Sequence, residues 1–144
     1  MSAGWPRRLL TVCLGNHCRS PLAAAVLAKV GGPAVEIRSA GIRDRWVGKP
    51  AHPAMVTAAA ARGYDLTAHR GAHITHDLLE WSDLVLAMDT SNLTDLRSLT
   101  DERTVAKLAL YLGDRDVPDP WGKPEEAFTA VVALIEDGAT QHLP

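Results

Sequence analysis

What this sequence has little of narrows its function first. Its 144 residues include only two cysteines, Cys13 and Cys18, too few for a disulfide framework in a domain this size. Their C-x4-C spacing also lacks the second half of a structural zinc site. Net charge is only −2, which gives no electrostatic case for nucleic acid or an anionic membrane as partner. No apolar run approaches the ~18 residues that a membrane span needs. Met1–Leu14 carries two arginines but no separate apolar core and no small-residue cleavage site, so it is not expected to act as a signal peptide. These absences lead us to expect a soluble cytoplasmic protein, a monomer or weak homo-oligomer.

What is present is ordinary for a globular chain: 47% apolar residues and a mean hydropathy of −0.04. One domain over residues 1–144 is expected, with no linker, repeat or low-complexity tract. Three of the six histidines, His69, His73 and His76, fall at intervals of four and three, which would line one face of a helix. Gly71 interrupts that segment, and nothing sets it beside the cysteines. No metal is expected there.

Leu9–Leu14 is short, apolar and partly β-branched, the pattern of a buried strand. It runs into a polar, turn-prone loop. Ser20 followed by Pro21 then predicts a helix start, a hydroxyl cap before a ring-locked first turn. That helix ends at Gly31-Gly32-Pro33. Further strands are predicted at Val35–Ser39, Asp83–Met88 and Val105–Leu110. Helices are predicted at Ala54–Arg62, His76–Trp81, Thr90–Ser98 and Glu125–Asp137. Alternating strands and helices imply an α/β three-layer sandwich, with a central parallel sheet of four strands and helices on both faces. Such sheets hold ligands at the carboxyl ends of their strands, which is where Cys13–Ser20 lies.

The composition of that loop suits phosphate chemistry. Backbone N–H groups curling inward at a helix N-terminus bind an anion. Gly15 and Asn16 tolerate the left-handed conformations such a curl demands. Arg19 offers a planar fork for two phosphate oxygens. The same dipoles and charge favour a cysteine thiolate, which at the floor of the cradle can attack bound phosphorus. A buried cysteine at a strand end is usually just a small core residue. The combination of cysteine, five residues, Arg-Ser and a strand–loop–helix setting is far more specific. Expelling an alkoxide or phenoxide also needs a proton donor. Asp114, Asp116 and Asp119 share one loop, and residue type alone does not rank them, although Pro118 and Pro120 stiffen the backbone around Asp119.

Val12-Cys13-Leu14-Gly15-Asn16-His17-Cys18-Arg19-Ser20-Pro21 resembles the signature loop of the low-molecular-weight protein tyrosine phosphatase family. Similar elements recur in order along nearly the whole chain: Ser39-Ala40-Gly41, His69, Met88-Asp89-Thr90-Ser91-Asn92-Leu93 and Val117-Pro118-Asp119-Pro120. The resemblance implies that Cys13 is a nucleophile forming a cysteinyl-phosphate and that Arg19 clamps the transition state. It implies that Ser20 stabilises the departing thiolate and that Asp119 is general acid, then general base. Asn16, Ser20, Ser39 and His69 would support the loop. Leu14, Gly15, Asn16, His17 and Cys18 would surround the phosphate, with Trp46 and Trp121 as walls. Cys18 would be the second loop cysteine, which in relatives can pair with the nucleophile under oxidation. No cofactor is implied, and the partner would be a phosphorylated protein or a small phosphomonoester.

The sequence departs from the family pattern at three places. His17 stands where tyrosine phosphatases of the family commonly have isoleucine and its phosphoarginine phosphatases threonine. Trp121-Gly122-Lys123 replaces a pair of aromatics, and Arg45 holds a position expected to be aromatic, with Trp46 one place later. Ala24 replaces a common glutamate. Phosphotyrosine is the leading substrate, with phosphoarginine or a phosphorylated metabolite as alternatives. Arsenate reduction through an external thiol is a different class of reading. Its thioredoxin-coupled form would need two further cysteines, which do not occur after Cys18.

Overall fold

Alternation along the first strand sets the layering. In the computed structural model, which describes residues 5–144, β1 (Arg7–Cys13) turns Leu9 and Cys13 to one face of the sheet and Leu10 and Val12 to the other. Residues 1–4 of the Met1–Leu14 stretch lie outside the described residues. The following elements are α1 (Arg19–Gly31), β2 (Val35–Gly41), α2 (Pro53–Ala60), α3 (His76–Trp81), β3 (Leu84–Ala87), α4 (Thr90–Leu99), β4 (Leu108–Leu110) and α5 (Glu125–Gly138).

All strand pairs are parallel, in the order β2-β1-β3-β4. Leu9 and Leu86 pack with Leu22, Val26, Met55, Phe128 and Ile135, so α1, α2 and α5 cover one face. Leu10, Val12, Val85 and Ala87 pack with Leu79, Leu93 and Leu96 from α3 and α4 on the other. This is the expected three-layer α/β sandwich. Both faces are covered, so β3 reads as a near-continuous apolar run, as parallel strands do. The chain leaves β1 toward β2 and later crosses back to β3 on the far side of β1. That reversal puts the topological switch point between the carboxyl ends of β1 and β3.

Two local expectations change. Val105–Lys107 forms a 3-10 turn rather than strand. Asp101 Oδ1 accepts from the N–H groups of Arg103 and Thr104, and Lys107 Nζ donates to Leu79 and Glu80 carbonyls, so the ladder is left with Leu108–Leu110. Ser20 does not cap α1. The helix starts two residues earlier, at Arg19 with Cys18 at its cap position, because the Ser20 hydroxyl is engaged inside the loop.

Candidate active site

The Cys13–Ser20 loop closes over its own polar atoms. Asn16 has φ +54°, the left-handed conformation expected of it, and the curl brings its N–H to Cys13 Sγ at 3.2 Å. Gly15 does not adopt that conformation. Its missing Cβ matters instead because the Trp46 ring would lie 2.8 Å from one. Ser20 Oγ sits 3.0 Å from Cys13 Sγ.

Asn16 is 1% exposed and joins three segments beneath the loop. The Ala72 N–H donates to Asn16 Oδ1 at 2.9 Å, which fixes the orientation of the amide. Asn16 Nδ2 then donates to Ser20 Oγ at 2.8 Å and to Ser39 Oγ at 2.9 Å. His69 Nε2 donates to the Asn16 carbonyl at 2.9 Å. Since Ser20 Oγ accepts from Asn16, its own hydrogen is left to point at Cys13 Sγ. Burial holds the His69 pKa below the ordinary histidine value, against the opposing effect of its bond to Asn16.

The Arg19 guanidinium is buried. Its Nη1 donates to Asp89 Oδ2 at 2.7 Å and to the Val117 carbonyl at 2.8 Å. Its Nη2 lies 3.7 Å from Asp119 Oδ2. Burial opposes the charge, but Cys13, Asp89 and Asp119 outweigh it and hold the Arg19 pKa above its ordinary value. Nη2 and Nε make no hydrogen bond among the described residues, so two donors of the fork remain free.

A cavity of about 250 Å³ opens above Cys13. Leu14, Gly15, His17, Cys18 and Arg19 line it from the loop, and Trp46, Asp119 and Trp121 line it from two other segments. Asn16, Ser20, Ser39 and His69 lie outside the lining as the supporting network. The Asn16 side chain braces the loop, while its N–H points inward at Cys13 Sγ. The two other loop aspartates separate from Asp119: Asp116 Oδ1 accepts from the Thr90 N–H and hydroxyl, and neither Asp114 nor Asp116 faces the cavity.

His17 turns its imidazole onto Trp46, with centroids 3.9 Å apart and planes 2° from parallel. Burial, then the neighbouring His52, lowers its pKa. Its Nδ1 is buried without a hydrogen-bond partner. His69, His73 and His76 do not converge. They reach the Asn16 carbonyl, the Ile42 carbonyl and the Glu80 and Asp101 carboxylates respectively. Both cysteines are free thiols and buried, and burial raises the Cys18 pKa, with Cys13 adding to it.

Residues 8–143 match the family model described as low molecular weight phosphotyrosine protein phosphatase. The chain belongs to that family. It is similar to a Ralstonia nicotianae protein named as a probable low molecular weight protein-tyrosine-phosphatase EpsP, with 34% identity over 96% of this chain and 94% of the relative. The Salmonella typhi low molecular weight protein-tyrosine-phosphatase Wzb is 35% identical over 93% of this chain and 90% of its own. Among solved structures, Vibrio vulnificus Wzb in complex with benzylphosphonate superposes with a TM-score of 0.88 at 31% identity, covering 96% of this chain and 97% of that one. The protein is therefore an enzyme of the low molecular weight protein-tyrosine-phosphatase class.

Several residues that shape this phosphatase site are given no role by the sequence reading. Asp89 caps α4 with Oδ1, accepting from the Asn92 N–H at 2.8 Å, while its Oδ2 holds Arg19. Asp before a helix is a readable cap signal, but its second task depends on tertiary contact. Gly41 lets β2 approach the loop: a Cβ there would lie 2.7 Å from Gly15 C and 2.9 Å from Asn16 N. Arg43 and Arg45 also line the cavity; the sequence marks Arg45 only as standing where an aromatic is expected, and nothing local marks Arg43 as more than a loop charge.

Proposed function

We propose that this phosphatase hydrolyses phosphotyrosine in proteins through a covalent intermediate on Cys13. The reading rests on one juxtaposition. Cys13 Sγ, the free Nη2 and Nε of Arg19 and the Asp119 carboxyl meet at a single cavity above a loop braced by Asn16. With a phosphomonoester bound, the Arg19 fork and inward N–H groups hold the nonbridging oxygens. Cys13 Sγ attacks phosphorus, and the bond to the leaving oxygen breaks as that oxygen takes the Asp119 proton. The Asp119 carboxylate then removes a proton from water as the water attacks the cysteinyl-phosphate. The S–P bond breaks, the electron pair returns to Cys13 beside the Ser20 hydroxyl, and phosphate leaves. No metal or organic cofactor takes part in these steps.

An aryl group suits the walls, since Trp121 and the stacked His17–Trp46 pair line the same cavity. The benzylphosphonate held by the Vibrio vulnificus relative pairs a phosphonate with an aromatic ring in the same way. A free, buried thiol nucleophile fits a reducing compartment, so the reading includes a cytoplasmic location, one domain over 1–144, and a monomer or weak homo-oligomer. No helix among the described residues is long and apolar enough to cross a membrane. The deciding experiment compares wild type with Cys13→Ser on phosphotyrosine, phosphoserine, phosphoarginine and arsenate, side by side. Wild type should favour phosphotyrosine. Cys13→Ser should lose turnover yet still bind vanadate. Substantial hydrolysis by folded Cys13→Ser protein would falsify the covalent mechanism.

A further inference from the structure

We infer that Arg43 and Arg45 form an anion-reading rim that selects phosphotyrosine flanked by a second acidic group on the substrate. This rests on the phosphatase reading above and adds the chemical class of peptide. Both arginines are exposed, and both line the cavity that holds Cys13 and Arg19. Neither guanidinium has a carboxylate or hydrogen-bond partner among the described residues, whereas Arg62 and Arg103 are paired with Glu136 and Glu80. Asp44, between them in sequence, does not face the cavity.

The rim is also held in place. The Ile42 N–H donates to the Cys13 carbonyl and the Arg43 N–H to the Leu14 carbonyl, which ties this segment to the phosphate loop. Arg45 lies 4.9 Å over the Trp46 ring. Trp46 is itself fixed between the His17 face and Gly71, whose missing Cβ admits the Trp46 carbonyl. When a phosphotyrosyl phosphate reaches the floor, the peptide backbone stays at the mouth. Adjacent residues are only about 3.8 Å apart along the chain, so a neighbouring side chain falls within reach of two unpaired guanidinia. The overall charge of −2 does not account for two free cations at this mouth. The shared ligand chemistry is an anionic oxygen group, a carboxylate or a second phosphate.

The test measures kcat/KM for matched phosphotyrosyl peptides with Asp/Glu flanks, Asn/Gln flanks, or a second phosphotyrosine. Exposed ion pairs predict a preference for the acidic peptides of roughly 3–10-fold, shrinking as salt is raised. The ratio should collapse to about one in Arg43→Gln/Arg45→Gln and survive in Arg43→Lys/Arg45→Lys. Turnover of the neutral peptide by each variant reports whether its site is intact. A wild-type ratio near one, or a ratio that persists in the double glutamine variant, overturns the rim. If no phosphotyrosyl peptide is turned over, the phosphatase reading fails instead, and the same ratios taken as Kd by calorimetry decide the rim alone. A preference confined to the second phosphate or to the carboxylate assigns the source.

Discussion

At the floor of the cavity each polar atom of Asn16 is engaged, to Cys13, Ser20, Ser39, His69 and Ala72. At the rim, Arg43, Arg45 and Trp121 stand in solvent, and Asp119 keeps 46% of its side-chain surface exposed. On the proposed function the floor would bind the phosphoryl group common to every substrate, so its geometry can be fixed before binding. On the same function the rim would meet leaving groups that differ, and there the exposed side chains, unlike the backbone that carries them, are set by few contacts. Rigid support therefore gathers around Cys13 and the Trp46 wall, and adaptability around Asp119 and Trp121.

The largest expected effect tests the one rim residue proposed to take part in chemistry. Asp119→Asn should slow the phosphorylation step for phenyl phosphate or phosphotyrosine by roughly 10²–10⁴-fold. A substrate whose leaving oxygen departs readily as an anion should suffer much less. Single-turnover measurement is needed because water attack would also use Asp119 in the proposed mechanism. Asp114→Asn and Asp116→Asn are the controls, and the second also removes a charged acceptor from Thr90. Equal effects from all three, or an Asp119 effect independent of leaving-group pKa, would show that the proton comes from elsewhere.

At the floor, Asn16→Ala removes both donors to Ser20 and Ser39 and strands the part-buried Ala72 N–H, in a residue whose φ of +54° suits asparagine better than alanine. Each unmade buried hydrogen bond costs about 1–3 kcal/mol, so a loss of about 2–4 kcal/mol in unfolding free energy is expected. Turnover should fall even where the protein remains folded, because Ser20 loses its orientation toward Cys13. Gly41→Ala should do less, about 1–3 kcal/mol, as overpacking against the Gly15 and Asn16 backbone. Denaturant melts paired with turnover of one aryl phosphate check both. If Gly41→Ala leaves turnover and stability unchanged, the close approach of β2 does not brace the loop.

Much of this floor was legible because it is local. Cys13 through Ser20 lies in one run between a strand and a helix, and the periodicities around it fix which end of the sheet it occupies. The run also conveys that Asn16 must tolerate a left-handed turn. What stays hidden depends on contacts between distant segments. Asp89 reaches Arg19 across 70 positions, Ala72 reaches Asn16 across 56, and His17 finds Trp46 only through the fold. The same holds for the start of β4, where the Asp101 turn overrides a β-branched, apolar run, and for Ser20, whose hydroxyl serves the loop rather than the helix end.

The smallest expected effect separates floor from remote core by pH. Burial lowers the pKa of His17, His69 and His142 in the folded protein, whereas the unfolded chain keeps histidine near ~6.5. Below that value the unfolded state binds protons that the folded state does not, so stability is lost as pH falls through the folded values and is fully present above about 6.5. Thermal melts should therefore shift downward between neutral and mildly acidic pH. His142 lies away from the cavity, its Nε2 donating to the Tyr111 carbonyl at 2.6 Å. His142→Gln should flatten part of the pH dependence of stability without altering the pH profile of kcat/KM. His69→Gln should change both, since the Asn16 carbonyl loses the ring donor that holds the loop. If His142→Gln shifts the pH profile of turnover, or His69→Gln leaves it untouched, then the division between a braced floor and a remote core does not hold for protonation, and the His69–Asn16 bond is packing rather than support.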